Sequence, residues 1–266
     1  MGTIPAQSCR TRSPLDLSAS LPFHAMSHGV QLQRDYYTRT AERYEALHVH
    51  GDDEHDLACA LIHGLSRFYD YTSVLDVGSG TGRAVQKLGL CLPSARIIGV
   101  EPVEALRKVG YARGIPEPQL VAGDATELAF PDSSFDLVCE LGVLHHIPQP
   151  RRAVAEMLRV ARKAVFFSDS NRFGQGVALT RYFKLMLWAT RLWPLVNFVR
   201  TKGKGYHYKE TDGVLYSYSI FDDYRFIRSH CRHVMVFNLD GSGKNALTGA
   251  THVGVFGIKS GLDKLG

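Results

Sequence analysis

The chain has 266 residues, 45% of them hydrophobic and 21% charged, a balance that excludes global disorder and a collagen-like fibre. Its formal net charge of +5 conceals a split: residues 1–150 carry 12 basic and 18 acidic side chains, and residues 151–266 carry 19 and 8. Five cysteines, odd in number and without a C-x-x-C pair, argue against a disulfide framework or zinc ribbon and predict a reducing, cytoplasmic setting.

Residues 1–30 hold Pro5, Pro14 and Pro22 among small polar side chains and read as a flexible arm with no apolar segment of a secretory signal. The spacing of Leu32, Tyr36, Tyr37, Tyr44 and Leu47 predicts a helix over 31–48, and Asp52, Asp53 and Glu54 suit the first turn of a second. Short β-branched runs then alternate with helical segments. Strands are predicted at Ser73–Val77, Arg96–Val100, Gln119–Ala122, Phe135–Leu141 and Ala164–Ser168, with helices opening near Thr81, Val103 and Arg151. That alternation predicts a parallel, doubly wound sheet. After an insertion over 171–219 come a helix near Phe221–Cys231 and two strands, His233–Leu239 and His252–Ile258, whose link Asp240-Gly-Ser-Gly suits an antiparallel pair. Residues 31–266 are thus expected to form one domain.

The segment Val74-Leu-Asp-Val-Gly-Ser-Gly-Thr-Gly-Arg83 places glycines at 78, 80 and 82 between a buried strand and a helix N-terminus. Such a turn brings backbone N–H groups close to a ligand. Arg83 stands where a dinucleotide fingerprint wants Gly or Ala, and Asp76 would repel a pyrophosphate but suits a cationic amino group. Glu101, closing the next strand, is placed to hold a ribose diol.

With these residues the chain resembles the class I S-adenosylmethionine-dependent methyltransferases, in particular the group acting on quinones, sterols and natural products. Val74–Gly82 is similar to that family's first motif, Gly99-Val-Glu-Pro to the second, the run from Gly123-Asp-Ala to the third, and Phe135–Ile147 to the fourth. The resemblance implies a Rossmann-like seven-stranded sheet with its last strand antiparallel, an N-terminal helical cover, and S-adenosyl-L-methionine as cofactor. Asp76, Gly78, Ser79, Gly80 and Gly82 would then border the methionine end, and Glu101 and Pro102 the ribose. Asp124 and Ala125 would meet the adenine, and Glu140 and Leu141 the sulfonium side. Tyr37 and Tyr44 would close over the cofactor.

Methyl transfer is an in-line displacement, so positioning of the acceptor comes first and a general base second. His145 and His146 are the candidate bases, His146 slightly favoured. Glu140, Asp169 and Asn171 could offer oxygen ligands, but their spacing does not match a metal-dependent pattern, and no metal is expected. No [DN]-P-P-[YF] follows the fourth strand, which counts against amino-methylation of adenine or glutamine amides.

The insertion carries eight basic residues between Arg172 and Lys209 and no acidic one. Within Ala178–Trp193, Arg181, Lys184 and Arg191 form one helical stripe, with Leu179, Phe183, Met186 and Trp193 opposite, and Pro194 should end the helix. One reading packs the apolar stripe on the core with the basic face in water. A second makes the insertion a substrate lid, with Phe173, Tyr182, Trp188, Tyr206, His207, Tyr216 and Tyr218 as an aromatic wall. A third lets 178–204 touch a membrane peripherally. The expected function is methyl transfer to O, N or C of a small aromatic or lipophilic molecule, with no stable nucleic-acid partner. The alternatives are an RNA methyltransferase using the basic insertion, an NAD-dependent oxidoreductase, and a non-catalytic cofactor-binding partner protein.

Overall fold

A computed structural model describes residues 27–48 and 53–259. The arm expected over 1–30 therefore lies almost wholly outside the described residues. Helix α1 starts at His28, three residues before the sequence-based boundary, and runs to Thr40. A short α2 (Tyr44–His48) follows, then α3 (Glu54–Tyr69), whose N-cap Asp53 accepts from the backbone N–H groups of His55 and Asp56.

The doubly wound part follows in the predicted order: β1 (Ser73–Val77), α4 (Arg83–Cys91), β2 (Arg96–Val100), α5 (Glu104–Ala112), β3 (Leu120–Val121), β4 (Phe135–Leu141), α6 (Pro150–Val160) and β5 (Ala161–Ser170). The insertion holds α7 (Ala178–Ala189), α8 (Trp193–Arg200) and a hairpin, β6 (Tyr206–Lys209) and β7 (Gly213–Tyr216). Helix α9 (Tyr224–His230), β8 (His233–Asn238) and β9 (His252–Ile258) complete the chain's described part. The seven-stranded sheet runs β3-β2-β1-β4-β5-β9-β8, with β9 antiparallel to both neighbours and the first five strands parallel. Strand order reverses between β1 and β4, so their carboxyl ends open a crevice there.

Core side chains fill both faces of the sheet. Phe135, Val138, Val165 and Phe167 join one face, and Val74, Leu137, Phe166 and Phe256 the other. Each fully buried ring or branched chain contributes roughly 1.5–3 kcal/mol by leaving water. Strand β5 begins at Ala161 because α6 passes into it without a turn residue. Pro194 does not end a helix; it occupies the first turn of α8, where its missing N–H costs nothing, and the break lies at Arg191 with φ 59°. The stripe on α7 is also inverted. Leu179, Phe183 and Met186 face outward, while Lys184 turns inward and donates to the carbonyls of Arg172 and Gln175 at 3.0 and 2.9 Å.

Candidate active site

The loop leaving β1 is built by glycine at the positions where backbone must approach closely. Gly78 and Gly80 have φ of 76° and 55°, and a Cβ on Gly78 would overlap the Val143 side chain. The N–H groups of Gly78 and Ser79 donate to the Val100 carbonyl at 2.8 and 3.0 Å, fixing the loop to β2. Gly82 differs from the expectation. It caps α4, and a Cβ there would strike Ile115, so its smallness serves helix packing rather than the crevice.

Two cavities meet at this loop. The smaller, about 190 Å³, is lined by Gly80, Glu101, Pro102, Asp124 and Ala125 beneath Arg34 of α1. The larger, about 540 Å³, is lined by Asp76, Ser79, His145, His146 and His252 beneath His55 of α3. Gly78, Leu141, Gly142 and His146 border both, as do the rings of Tyr37 and Tyr44. The cover helices thus lie over the junction, as the sequence suggested.

The carboxylates are held without being consumed. Asp76 is buried, burial lifts its carboxyl to about 7, and its Oδ2 has no hydrogen-bond partner. Glu101 is likewise raised to about 7 by burial, an effect opposed by the N–H groups of Val103 and Gly80, which donate at 2.8 and 3.0 Å. Asp124 accepts from the N–H and hydroxyl of Thr126 and from Arg34 at 3.1 Å. On the wall of the larger cavity, Arg83 clamps the start of α3, donating to Asp53 at 2.6 and 3.0 Å and to Asp56 at 2.8 Å.

The two histidines have different surroundings. His145 donates from Nδ1 to Asp169 Oδ1 at 2.8 Å, and Asp169 is fully buried. Burial opposes charge on the His145 ring, but the Asp169 carboxylate outweighs it and the pKa is raised. His146 points Nδ1 at the Val214 carbonyl at 2.7 Å, so Nδ1 carries the proton and Nε2 accepts from the Tyr37 hydroxyl at 3.2 Å. Burial, then the neighbouring His145, lowers its pKa to about 4. The two rings therefore differ: a carboxylate favours the charged form of His145, and His146 is a neutral link between α1 and β7.

Other expected residues are placed differently. Glu140 does not line either cavity; its oxygens accept from the N–H groups of Val143 and Ser168 at 3.0 and 2.9 Å, joining β4 to β5. Asn171 is used in structure, its amide donating to the carbonyls of Ala246, Leu247 and Ala250. The aromatic wall is assembled only in part. Phe173 is fully buried with Trp188 edge-on at 5.5 Å, Tyr182 is 63% exposed on the outside of α7, and Tyr206 meets His28 at 2.8 Å. His207, Tyr216 and Tyr218 border a cavity of about 330 Å³ behind the insertion, among the basic Arg172, Lys184, Arg200 and Lys209. That basic cavity shares His145 and Ser170 with the larger one.

Sequence reasoning missed Arg34, His55 and His252, which no local motif marks. It also missed Asp212, whose carboxylate lies 3.6 Å from His146 Nε2. Asp212-Gly213 was a legible hairpin signal, and Gly213 does adopt φ 72° in the β6–β7 turn. Among the described residues, His145, His146 and Asp212 bring one donor atom each within 4.8 Å of one another.

The crevice fits the cofactor implied by the sequence. The unpartnered, buried Asp76 oxygen matches an ammonium group, and Gly78 and Gly80 bring loop backbone to the border of the smaller cavity. Residues 75–168 match the model of a family described as a methyltransferase domain. The chain is 37% identical over 89 residues to a demethylmenaquinone methyltransferase of Renibacterium salmoninarum, covering 34% of this chain and 36% of the relative. It is 32% identical over 106 residues to a phosphatidylethanolamine N-methyltransferase of Cereibacter sphaeroides, covering 34% and 45%. The chain thus spans less than half the length of these relatives. In fold it is similar to the SAH-bound magnesium protoporphyrin IX methyltransferase of Synechocystis PCC 6803, with a TM-score of 0.54, 13% identity, and 85% and 98% of the two chains covered. The motif order, the sheet and the matched model together make residues 75–168 a methyltransferase domain on a Rossmann-like seven-stranded fold.

Proposed function

We propose that the chain transfers a methyl group from S-adenosylmethionine to O, N or C of a small aromatic or lipophilic acceptor held in the larger cavity. The observation that carries this reading is the junction of the two cavities under Tyr37 and Tyr44, with Glu101 and Asp124 in the smaller cavity and Asp76 at the near edge of the larger one that also holds His145. When bound, the cofactor supplies a methyl group on a cationic sulfur. Asp76 binds its amino group, Glu101 the ribose hydroxyls, and Asp124 with Ala125 the adenine. Tyr37 and Tyr44 exclude water at the junction and fix the approach of the acceptor.

His145 removes the acceptor's proton at Nε2 where the acceptor enters protonated, and the buried Asp169 carboxylate stabilises the imidazolium that forms. Residues 171–219 cover the acceptor side through the basic cavity, with His207, Tyr216 and Tyr218 as the part of the aromatic wall that borders it. The relatives whose names give demethylmenaquinone and phosphatidylethanolamine support a lipophilic acceptor. The free thiols Cys59, Cys91, Cys139 and Cys231 support a cytoplasmic setting, and no helix among the described residues is long and apolar enough to cross a membrane.

The test is incubation with methyl-labelled S-adenosylmethionine and separate pools of quinols, phenols, aminolipids and RNA. Label entering a product extractable into organic solvent is expected. Label entering RNA alone, or none of the pools, would contradict the reading.

A further inference from the structure

The apolar side chains of α7 and α8 form stripes at helical spacing that face away from the protein. Leu179, Phe183 and Met186 on α7 continue into Leu195, Phe198 and Val199 on α8, with Leu179 80% and Phe198 61% exposed. The two helices adjoin across the short link at 190–192, so the two exposed apolar sets lie on neighbouring elements. Isolated exposed apolar residues need no explanation, but a contiguous set on adjoining helices marks an interaction surface.

The charges around it say what the surface fits. From Arg172 to Lys209 there is no carboxylate, and Arg191, Arg200, Lys202 and Lys204 are exposed beside the apolar side chains. Apolar rings and chains flanked by Lys and Arg match the acyl and phosphate layers of an anionic bilayer. Helices of 12 and 8 residues are too short to span one and suit lying in its surface. The inner side of the same helices, through Lys184 and Trp193, borders the basic cavity that shares His145 with the acceptor cavity.

We propose that the outer face of α7 and α8 docks on an anionic lipid bilayer. Docking would place the basic cavity at the headgroup layer, from which an amphiphilic acceptor enters without crossing water. The inference goes beyond methyl transfer and is tested by binding alone, so its failure leaves that reading intact.

The full chain would be sedimented with phosphatidylcholine vesicles, with and without about 30% phosphatidylglycerol, at low and high salt. Binding to the anionic vesicles, weakened by salt, is expected. The double variant Phe183→Ser, Phe198→Ser should lose roughly tenfold or more, and Lys202→Glu, Lys204→Glu a similar factor on anionic vesicles only. Both sets of side chains are exposed, and retained S-adenosylmethionine binding checks their folding. No binding to anionic vesicles, or binding unchanged in both variants, overturns the proposal. So does a dimer that dissociates in the phenylalanine variant while vesicles are ignored, because a second copy would then cover the face.

Discussion

The Nδ1–H of His145 donates to Asp169 Oδ1 at 2.8 Å, while the adjacent His146 spends Nδ1 on the Val214 carbonyl. A carboxylate partner stabilises an imidazolium and a carbonyl does so far less, so the two rings divide base and structural roles. His145→Asn is expected to lower kcat by about 100-fold with S-adenosylmethionine affinity nearly unchanged. His146→Asn should act mainly on KM, by releasing Tyr37 and β7. Steady-state kinetics beside cofactor titration separates these outcomes; full turnover in both variants would remove the base role.

Asp169 sets the pH range of that base. Its charge raises the His145 pKa, so Asp169→Asn should move the acid limb of the pH–rate profile downward, with a lower plateau because the tautomer is no longer fixed. The pair also has a stability signature. The raised His145 pKa gives stabilisation present below about 6.5 and lost as pH rises through the folded value. The lowered Asp169 pKa gives stabilisation present above about 3.8 and lost as pH falls through its folded value. Denaturant melts of wild type and Asp169→Asn should therefore differ most between about pH 4 and 6.5.

Much of this arrangement was legible in the sequence. β1, β2, β4 and β9 end where their β-branched runs meet glycine, a charge or a turn, and the structure keeps those boundaries. Asp76, Glu101 and Asp124, at the ends of three consecutive strands, line the two joined cavities. Glu140 was misread because strand position fixes where a side chain starts and not what it bonds; two backbone N–H groups take its oxygens. On α7 the periodicity grouped Leu179, Phe183 and Met186 on one face but carries no information about whether that face meets the core, and Trp193, placed with them, lies past the helix end and is buried. Lys184 faces inward because Arg172 and Gln175 offer it carbonyls, a tertiary fact.

The cover should loosen through one residue. Asp53 caps α3 and also receives Arg83, so Asp53→Ala removes both a cap and a charged partner. A loss of about 2 kcal/mol in stability is expected, read from the denaturation midpoint at constant m-value. A loss below about 0.5 kcal/mol would show that α3 does not depend on this clamp.

Cofactor affinity should depend on pH. Asp76 and Glu101 are both held near 7 by burial, and binding the cofactor's ammonium and ribose groups favours their ionised forms. Affinity should therefore rise as pH increases toward about 7 and level off above it. Glu101→Gln should lower affinity by roughly tenfold and flatten part of that rise. An affinity independent of pH between 5 and 8 would contradict this assignment of the carboxylates.

The most direct measurement is calorimetric titration of the wild-type chain and Asp76→Asn with S-adenosylmethionine, S-adenosylhomocysteine and NAD(H). Both adenosyl ligands should bind the wild type, NAD(H) should not, and Asp76→Asn should weaken the adenosyl ligands by at least about tenfold, because the proposed function seats their ammonium group on its unpartnered Oδ2. Binding of NAD(H) in their place, or adenosyl-ligand affinity unchanged in Asp76→Asn, would contradict the account.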